Sequence, residues 1–427
     1  MQTKRPLIRF DSKVGNAVVY AQAQGVTPIS NILNNYRRTR VDRRTEHNLR
    51  PTTTPLQEYR DRDAFRQAQS RLNKLKRTKG DFKMLFRQLF DKTSSTYTYL
   101  LASRVGGEAL LIDPVFEHTN RYLKLLEELD LKLVKVVDTH IHADHVSAMG
   151  TLRDATRCTT VMGEQSPADV VSMRVRDNDP LTIEGLTLTA LHTPGHTAES
   201  YSFLMDDRVF TGDTLLIRGT GRTDFQNGDP YDQYHSLFER LLKLPEHTMV
   251  YPGHDYKGDT VSTIAEERHN NPRLQVNSAE EYAEIMNNLN LANPAMMDVA
   301  VPENLRLGLM MPAQHRVPVL EVDEILAEWP AVDCHLVDIR EESERRRHGT
   351  IPNSIHAPYG HFDQYCRPSG PLAGLVKNSR VLLYCAIGER STLAVEIANE
   401  LGLKNVAHIP GGFTAWQNAG GPVEKME

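Results

Sequence analysis

The hydrophobic pattern changes at Met84. Before it, large apolar residues are sparse and hold neither a helical nor a strand period. After it, short apolar and β-branched runs alternate with helically spaced segments and Gly/Pro turns, which predicts strands and helices in close succession. Thr96–Ser103 and Glu108–Ile112 flank Val105-Gly106-Gly107 and read as a hairpin. Arg121–Leu129 is predicted to be a short amphipathic helix, and Lys132–Val137 a strand. Leu186–Leu191, Val209–Thr211 and Met249–Tyr251 read as further strands, each ending at a His or Asp inside a turn. Pro230 opens a helix whose positions Tyr234, Leu237, Phe238, Leu241 and Leu242 follow helical spacing. A Pro- and Met-rich passage around Met310–Pro318 reads as a linker. Beyond it, strands Cys334–Ile339 and Val381–Cys385 and helix Thr392–Leu401, closed by Gly402, form a second βα pattern.

A chain of 427 residues exceeds one ordinary hydrophobic core. The pattern divides it into a basic extension (1–83), a first module (84–315) and a second (316–427). No apolar run is long enough for a membrane helix. Four cysteines (Cys158, Cys334, Cys366, Cys385) lack a pairing rhythm, which fits a reducing compartment. The net charge of −5 conceals an uneven split, because residues 1–83 hold 19 Lys and Arg against 7 Asp and Glu. Rich in Arg, Gln, Asn and Thr, this extension cannot bury enough surface to offset chain entropy and is expected to be mostly flexible. Its charge raises nucleic-acid binding, which no aromatic interleaving supports. A mitochondrial presequence is a second reading, opposed by Asp11 and the lack of a cleavage pattern. A third places the functional start near Met84. With no secretion signal, a cytoplasmic location is the default, mitochondrial in a eukaryote.

The most informative string is Thr139-His140-Ile141-His142-Ala143-Asp144-His145. Three imidazoles and a carboxylate after a strand make poor core material, since each needs a hydrogen-bond partner or a metal. Histidine turns recur at Pro194-Gly195-His196-Thr197 and Pro252-Gly253-His254-Asp255, with Thr211-Gly212-Asp213 between them. Any one such histidine, His192 or His247 for example, is better read as a surface or capping residue. The ordered set of four turns instead resembles the ligand pattern of the metallo-β-lactamase fold, an αββα sandwich. Ligand types alone leave two chemistries open. Two zinc ions on His140, His142 and His196, and on Asp144, His145 and His254, bridged by Asp213, make a hydrolase. A single ferrous ion held by two histidines and a carboxylate leaves positions for substrate and O2.

Residues from about Met84 to Pro312 resemble the persulfide dioxygenases. The likeness runs through TYLLAS, LIDPV, THIHADH and FTGDTLLIRGTGRTDFQNG, then YPGHDYKGDTVSTIAEERHNNPRL, NLNLANP and AVPENLRLG. Glyoxalase II relatives share the ligands but not the RGTGRTDFQ segment. The resemblance implies one Fe(II) per chain on His140, His196 and Asp213. It casts His142, Asp144, His145 and His254 as hydrogen-bonders that orient those ligands. The implied substrates are glutathione persulfide and related small persulfides, oxidised by O2 to sulfite with release of the thiol. Because glutathione is acidic, Arg218 and Arg222 are candidates for its carboxylates. The alternative for both is ion pairing with Asp224 or Asp229.

In the second module, Tyr384-Cys385-Ala386-Ile387-Gly388-Glu389-Arg390-Ser391 follows a strand and opens a helix. That position gives Cys385 a cradle of backbone N–H groups suited to a thiolate or an anionic sulfur cargo. Cys334 reads as a buried strand-end residue and Cys366 as a loop thiol. Residues from about Val317 to Val423 resemble the single-domain rhodaneses through LVDIRE, GTIPNSIHAP, CAIGERS and IPGGFTAW. This α/β family has a parallel sheet. The resemblance makes Cys385 the carrier of sulfane sulfur, with Arg390 closing its loop and Asp338 and Arg340 bracing the fold. Ala386, Ile387 and Glu389 depart from the basic loops that favour thiosulfate, which argues against thiosulfate as the preferred donor and leaves a persulfide donor open. The partners expected are therefore small sulfur compounds, glutathione and O2, with no membrane, and the oligomeric state is left open.

Overall fold

The computed structural model describes residues 84–294, 296–306, 317–330, 334–376 and 379–426. The extension 1–83 and the expected junction at 315–316 lie outside the described residues.

Three sheets carry the structure. The first runs in spatial order β1 (Leu85–Phe90), β2 (Tyr97–Ala102), β3 (Glu108–Ile112), β4 (Lys132–Val137), β5 (Thr159–Gly163) and β6 (Met173–Val175). Its first three strands are antiparallel neighbours, and β3 to β6 are parallel. The second contains β7 (Pro180–Ile183), β8 (Leu186–His192), β9 (Tyr201–Leu204), β10 (Arg208–Gly212), β11 (Met249–Pro252) and β12 (Ser262–Thr263), in that order across the sheet. Only β10 and β11 pair in parallel there.

Alternation along the strands explains the layering. In β2 and β3, Tyr99, Leu101, Leu110 and Ile112 enter the core shared with Leu188, Phe203, Phe210 and Tyr251 of the second sheet. The intervening Leu100, Ala109 and Leu111 pack instead under helices Thr119–Glu128 and Met149–Thr156, against Leu126 and Leu152. On the far side, Val209 and Val250 meet Leu237, Leu241 and Tyr282. Strands covered on both faces read as nearly unbroken apolar runs, as LLI and VV do here. The result is the expected helix–sheet–sheet–helix sandwich.

The third sheet, β14 (Ile355–His356), β13 (Cys334–Asp338), β15 (Arg380–Tyr384) and β16 (Val406–His408), is parallel throughout. Apolar clusters line both of its faces, one around Val337, Leu383 and Phe362 and the other around Leu382, Phe413 and Trp416.

Three expectations need correction. The helix at Pro230 is α-helical only to His235, then widens into a π turn over Ser236–Arg240 and tightens over Leu241–Lys243. Ser236 Oγ donates to the Pro194 carbonyl where the widening begins. Cys366 is no loop thiol; it ends the helix Phe362–Cys366 and is buried in the core, whereas Cys334 at the start of β13 is only half buried. The last long helix starts at Glu389, not Thr392, because Gly388 in the left-handed region turns the chain directly from loop to helix.

Candidate functional site

The four motif turns follow the C-terminal ends of β4, β8, β10 and β11, so the two sheets bring them to one rim. There His140, His196 and Asp213, all buried, offer ligand atoms within 4.8 Å of one another. Their outward-facing atoms are already engaged. Thr139 Oγ1 donates to Asp113 Oδ2 (3.0 Å), so it accepts from His140 Nδ1 at 2.9 Å. His196 Nδ1 donates to the Arg222 carbonyl at 2.7 Å. Both rings therefore keep an Nε2 lone pair for the centre, and Asp213 Oδ2 faces His196 Nε2 at 3.6 Å. Two imidazoles and a carboxylate meeting at one point fit a divalent transition metal.

His254 stands differently. Its Nδ1 is 2.6 Å from Asp213 Oδ1 and its Nε2 is 2.8 Å from Asp144 Oδ2. A ring between two carboxylates must donate from both nitrogens. Burial alone would lower its pKa, but Asp213 and Asp144 outweigh it and raise the value well above normal. Burial likewise disfavours charge on Asp213, yet His254, His196 and His140 hold its carboxyl below the usual range. His140 is pushed well down by burial and by its neighbours His142 and His196. His142, Asp144 and His145 form a second cluster with the same 4.8 Å spacing. In it His142 Nδ1 and His145 Nε2 have no hydrogen-bond partner.

Three positioning residues escape a reading of the motifs. Asp113, after β3, takes the Thr139 N–H (2.7 Å) and hydroxyl and approaches His142 Nε2 (3.2 Å). Thr96 Oγ1 lies 3.0 Å from both Asp144 Oδ2 and His254 Nε2. Asn304, on helix Met297–Arg306, donates to the carbonyls of His142 and His145 (both 2.9 Å) and accepts from the Ser147 N–H (2.8 Å). Of these, only the LIDP string after an apolar run hinted at a role. Asn304→Ala leaves three buried backbone groups without partners, at about 1–3 kcal/mol each. A roughly 10–100-fold loss of metal affinity is expected in a chelator competition titration. Unchanged affinity would show that the turn holds its shape without Asn304.

The RGTGR segment wraps under the centre. A Cβ on Gly221 would lie 2.2 Å from the Asp213 carbonyl and 2.8 Å from His196 Nδ1, so only glycine fits. The pocket above the centre includes Arg218, Arg222, Phe225, Tyr256, Lys257 and Arg273. Neither arginine singled out from sequence is free. Arg218 pairs with Glu267 and Glu266. Arg222 forks onto Asp224 at 2.5 and 2.7 Å, with its guanidinium 4.8 Å over the Phe225 ring. Lys257 has no ion pair among the described residues, and neither the motifs nor the spacing singled it out. Asp255 caps its own turn, accepting the Lys257 and Asp259 N–H groups at 2.9 and 2.8 Å.

Cys385 follows β15 and is fully buried. The Gly388 N–H donates to its Sγ at 3.1 Å, and the Phe413 N–H donates to its carbonyl at 2.8 Å. Arg390 forks onto Glu344 beneath the loop at 2.8 and 2.7 Å. Burial opposes its charge, but Glu344 and Cys385 more than compensate and raise its pKa. Arg340 grips Asp338 at 2.9 and 2.6 Å and stacks 3.9 Å over Phe413, bracing the segment that supports the loop.

Comparison with known proteins identifies both domains. Residues 92–166 and 162–254 match the metallo-beta-lactamase superfamily, and 320–419 match the rhodanese-like domain. Persulfide dioxygenase ETHE1, mitochondrial, from Homo sapiens is 45% identical over 232 residues, which cover 54% of this chain and 91% of that protein. The chain belongs to the persulfide dioxygenase family. The crystal structure of ETHE1 from Myxococcus xanthus agrees, with 52% identity, a TM-score of 0.52 and coverage of 53% of this chain and 100% of that one. A metallo-beta-lactamase from Staphylococcus aureus, at 20% identity and a TM-score of 0.50, shares the fold over 78% of this chain. The protein is thus a persulfide dioxygenase with a fused rhodanese domain, combining dioxygenase and sulfurtransferase activities on small sulfur substrates. Among the described residues no helix is long and apolar enough to cross a membrane.

Proposed function

We propose that the first domain oxidises glutathione persulfide, or a closely related small persulfide, at a single Fe(II) held by His140, His196 and Asp213. One persulfide, one O2 and one water give one sulfite, one thiol and two protons. A ferrous ion held by these three residues would supply open coordination positions for a persulfide anion and O2. The protein's part is to fix the three ligands. Thr139, the Arg222 carbonyl and His254 hold their distal atoms, while Phe225 and Tyr256 line the approach. The observation that carries the reading is the double engagement of His254. With both nitrogens bonded to Asp213 and Asp144, it acts as a charged bridge that orients a ligand. The test is O2 uptake on glutathione persulfide, with one sulfite formed per O2 as the expected result and thioester hydrolysis without O2 uptake as the contrary one.

The second domain carries sulfane sulfur on Cys385, drawn from thiosulfate or a persulfide, with Arg390 holding the loop and glutathione as acceptor. Lys257 is the cation placed to take a glutathione carboxylate; Arg218 and Arg222 keep their sequence-based candidacy only by exchanging present partners. Lys257→Ala should raise KM for glutathione persulfide about 5–20-fold with kcat little changed, in line with loss of one charge-assisted contact. An unchanged KM assigns the carboxylates elsewhere. A cytoplasmic site of action, mitochondrial in a eukaryote, suits these substrates.

The His142, Asp144 and His145 cluster favours one other reading, a dizinc thioester hydrolase of glyoxalase II type, because two of its ring nitrogens lack partners. Two zinc ions per chain would support it.

A further inference from the structure

Helix Glu389–Glu400, which begins where the Cys385 loop ends, is gripped at both ends by the dioxygenase domain. At its last turn, Arg157 forks onto Glu400 at 2.8 and 2.5 Å. At its first residue, the Glu389 carboxylate lies 3.6 Å from Arg153 Nε, a buried ion pair in which neither carboxylate oxygen has a hydrogen-bond partner among the described residues. Arg153 sits on helix Met149–Thr156, which leaves the metal-binding turn, and its guanidinium is also shared with Asp154 at 3.0 Å. Glu389 is only 7% exposed and Arg153 only 3%. A carboxylate is costly to bury unless paired.

Glu389 directly follows Gly388, the residue whose N–H meets Cys385 Sγ. A Cβ on Gly388 would come within 2.8 Å of the Gly411 N, so only glycine fits at this turn, where the chain passes directly from the thiol's hydrogen-bond donor to Glu389. Fixing Glu389 therefore fixes the lip over the thiol, which has no exposed surface in this arrangement. We infer that Arg153 is a latch: by holding Glu389, the dioxygenase domain keeps the cysteine loop closed, and a sulfur donor reaches Cys385 only when this pair opens. The inference builds on Cys385 as the sulfur carrier but is tested without sulfur transfer.

The experiment is iodoacetamide labelling of the intact, metal-loaded chain, with peptide mass spectrometry at Cys385 and at Cys366. Cys366 is buried in the same domain and reports general loosening. Arg153→Ala should label at Cys385 at least tenfold faster than wild type with Cys366 unchanged, and Arg153→Lys should fall between. If Arg153→Ala does not fold, Glu389→Gln, which keeps size and removes charge, is held to the same tenfold criterion. Cys385 labelling within twofold of wild type overturns the latch, as does parallel acceleration at Cys366. Labelling reports access whether or not Cys385 carries sulfur, so failure of the latch and failure of sulfur transfer are read separately.

Discussion

Asp213→Asn is expected to abolish persulfide oxidation, at least about a thousand-fold, since a metal's contribution of several kcal/mol is lost with its ligand. The substitution keeps the shape of the side chain but removes the charge that holds His254 between two carboxylates. His254 then faces a neutral amide oxygen in place of a carboxylate, and Asp144 becomes its only counter-ion. His196→Ala should have the same effect by a simpler route, removing an Nε2 donor while freeing the Arg222 carbonyl. His145→Ala is the informative contrast. With His145 serving only to orient neighbours, activity should fall about 10–100-fold with metal content retained. Were His145 a ligand to a second catalytic ion, its loss would match that of Asp213. Metal analysis beside O2-electrode rates decides between these outcomes.

The second large effect concerns the two domains together. Thiosulfate plus glutathione should drive O2 uptake by the intact enzyme, because sulfur transfer gives glutathione persulfide and sulfite, and oxidation removes the persulfide. Two sulfites should form per O2 and glutathione should be regenerated. Cys385→Ser should reduce this uptake to background while oxidation of preformed glutathione persulfide continues within about twofold of wild type. The reason is spatial: Cys385 and its Arg390–Glu344 support belong to the domain built on the third sheet and share no residue with the metal rim. Equal uptake on thiosulfate by both proteins would refute the coupling. Arg390→Ala should resemble Cys385→Ser, since it strands a buried Glu344 under the loop.

Much of this architecture was legible before any coordinates. Apolar runs such as LVKVV end in His- or Asp-bearing turns, and a strand end is where a sheet holds a ligand rigidly, so the candidate ligand turns were legible from their order, while the choice of His140, His196 and Asp213 among them rested on the resemblance to the persulfide dioxygenases. The cysteine loop was legible for the same reason, lying between β15 and a helix. Hidden contacts were those made across long stretches of chain. Thr96 reaches His254 over 158 residues, and Asn304 reaches His142 over 162. Neither has a local pattern, because a buried Thr or Asn looks like any turn residue until its partners are placed. Arg218 illustrates the opposite case. Its position near Asp213 suggested a substrate contact, but Glu267, 49 residues away, already holds it. The Arg153–Glu389 pair joins separate domains and has no counterpart in either domain's own sequence pattern.

The most direct test is metal content and O2 consumption measured on one purified, active sample. About one iron per chain, with O2 uptake on glutathione persulfide that scales with iron loading, is the expected result. Two zinc ions per chain with full activity and no O2 consumed would contradict it.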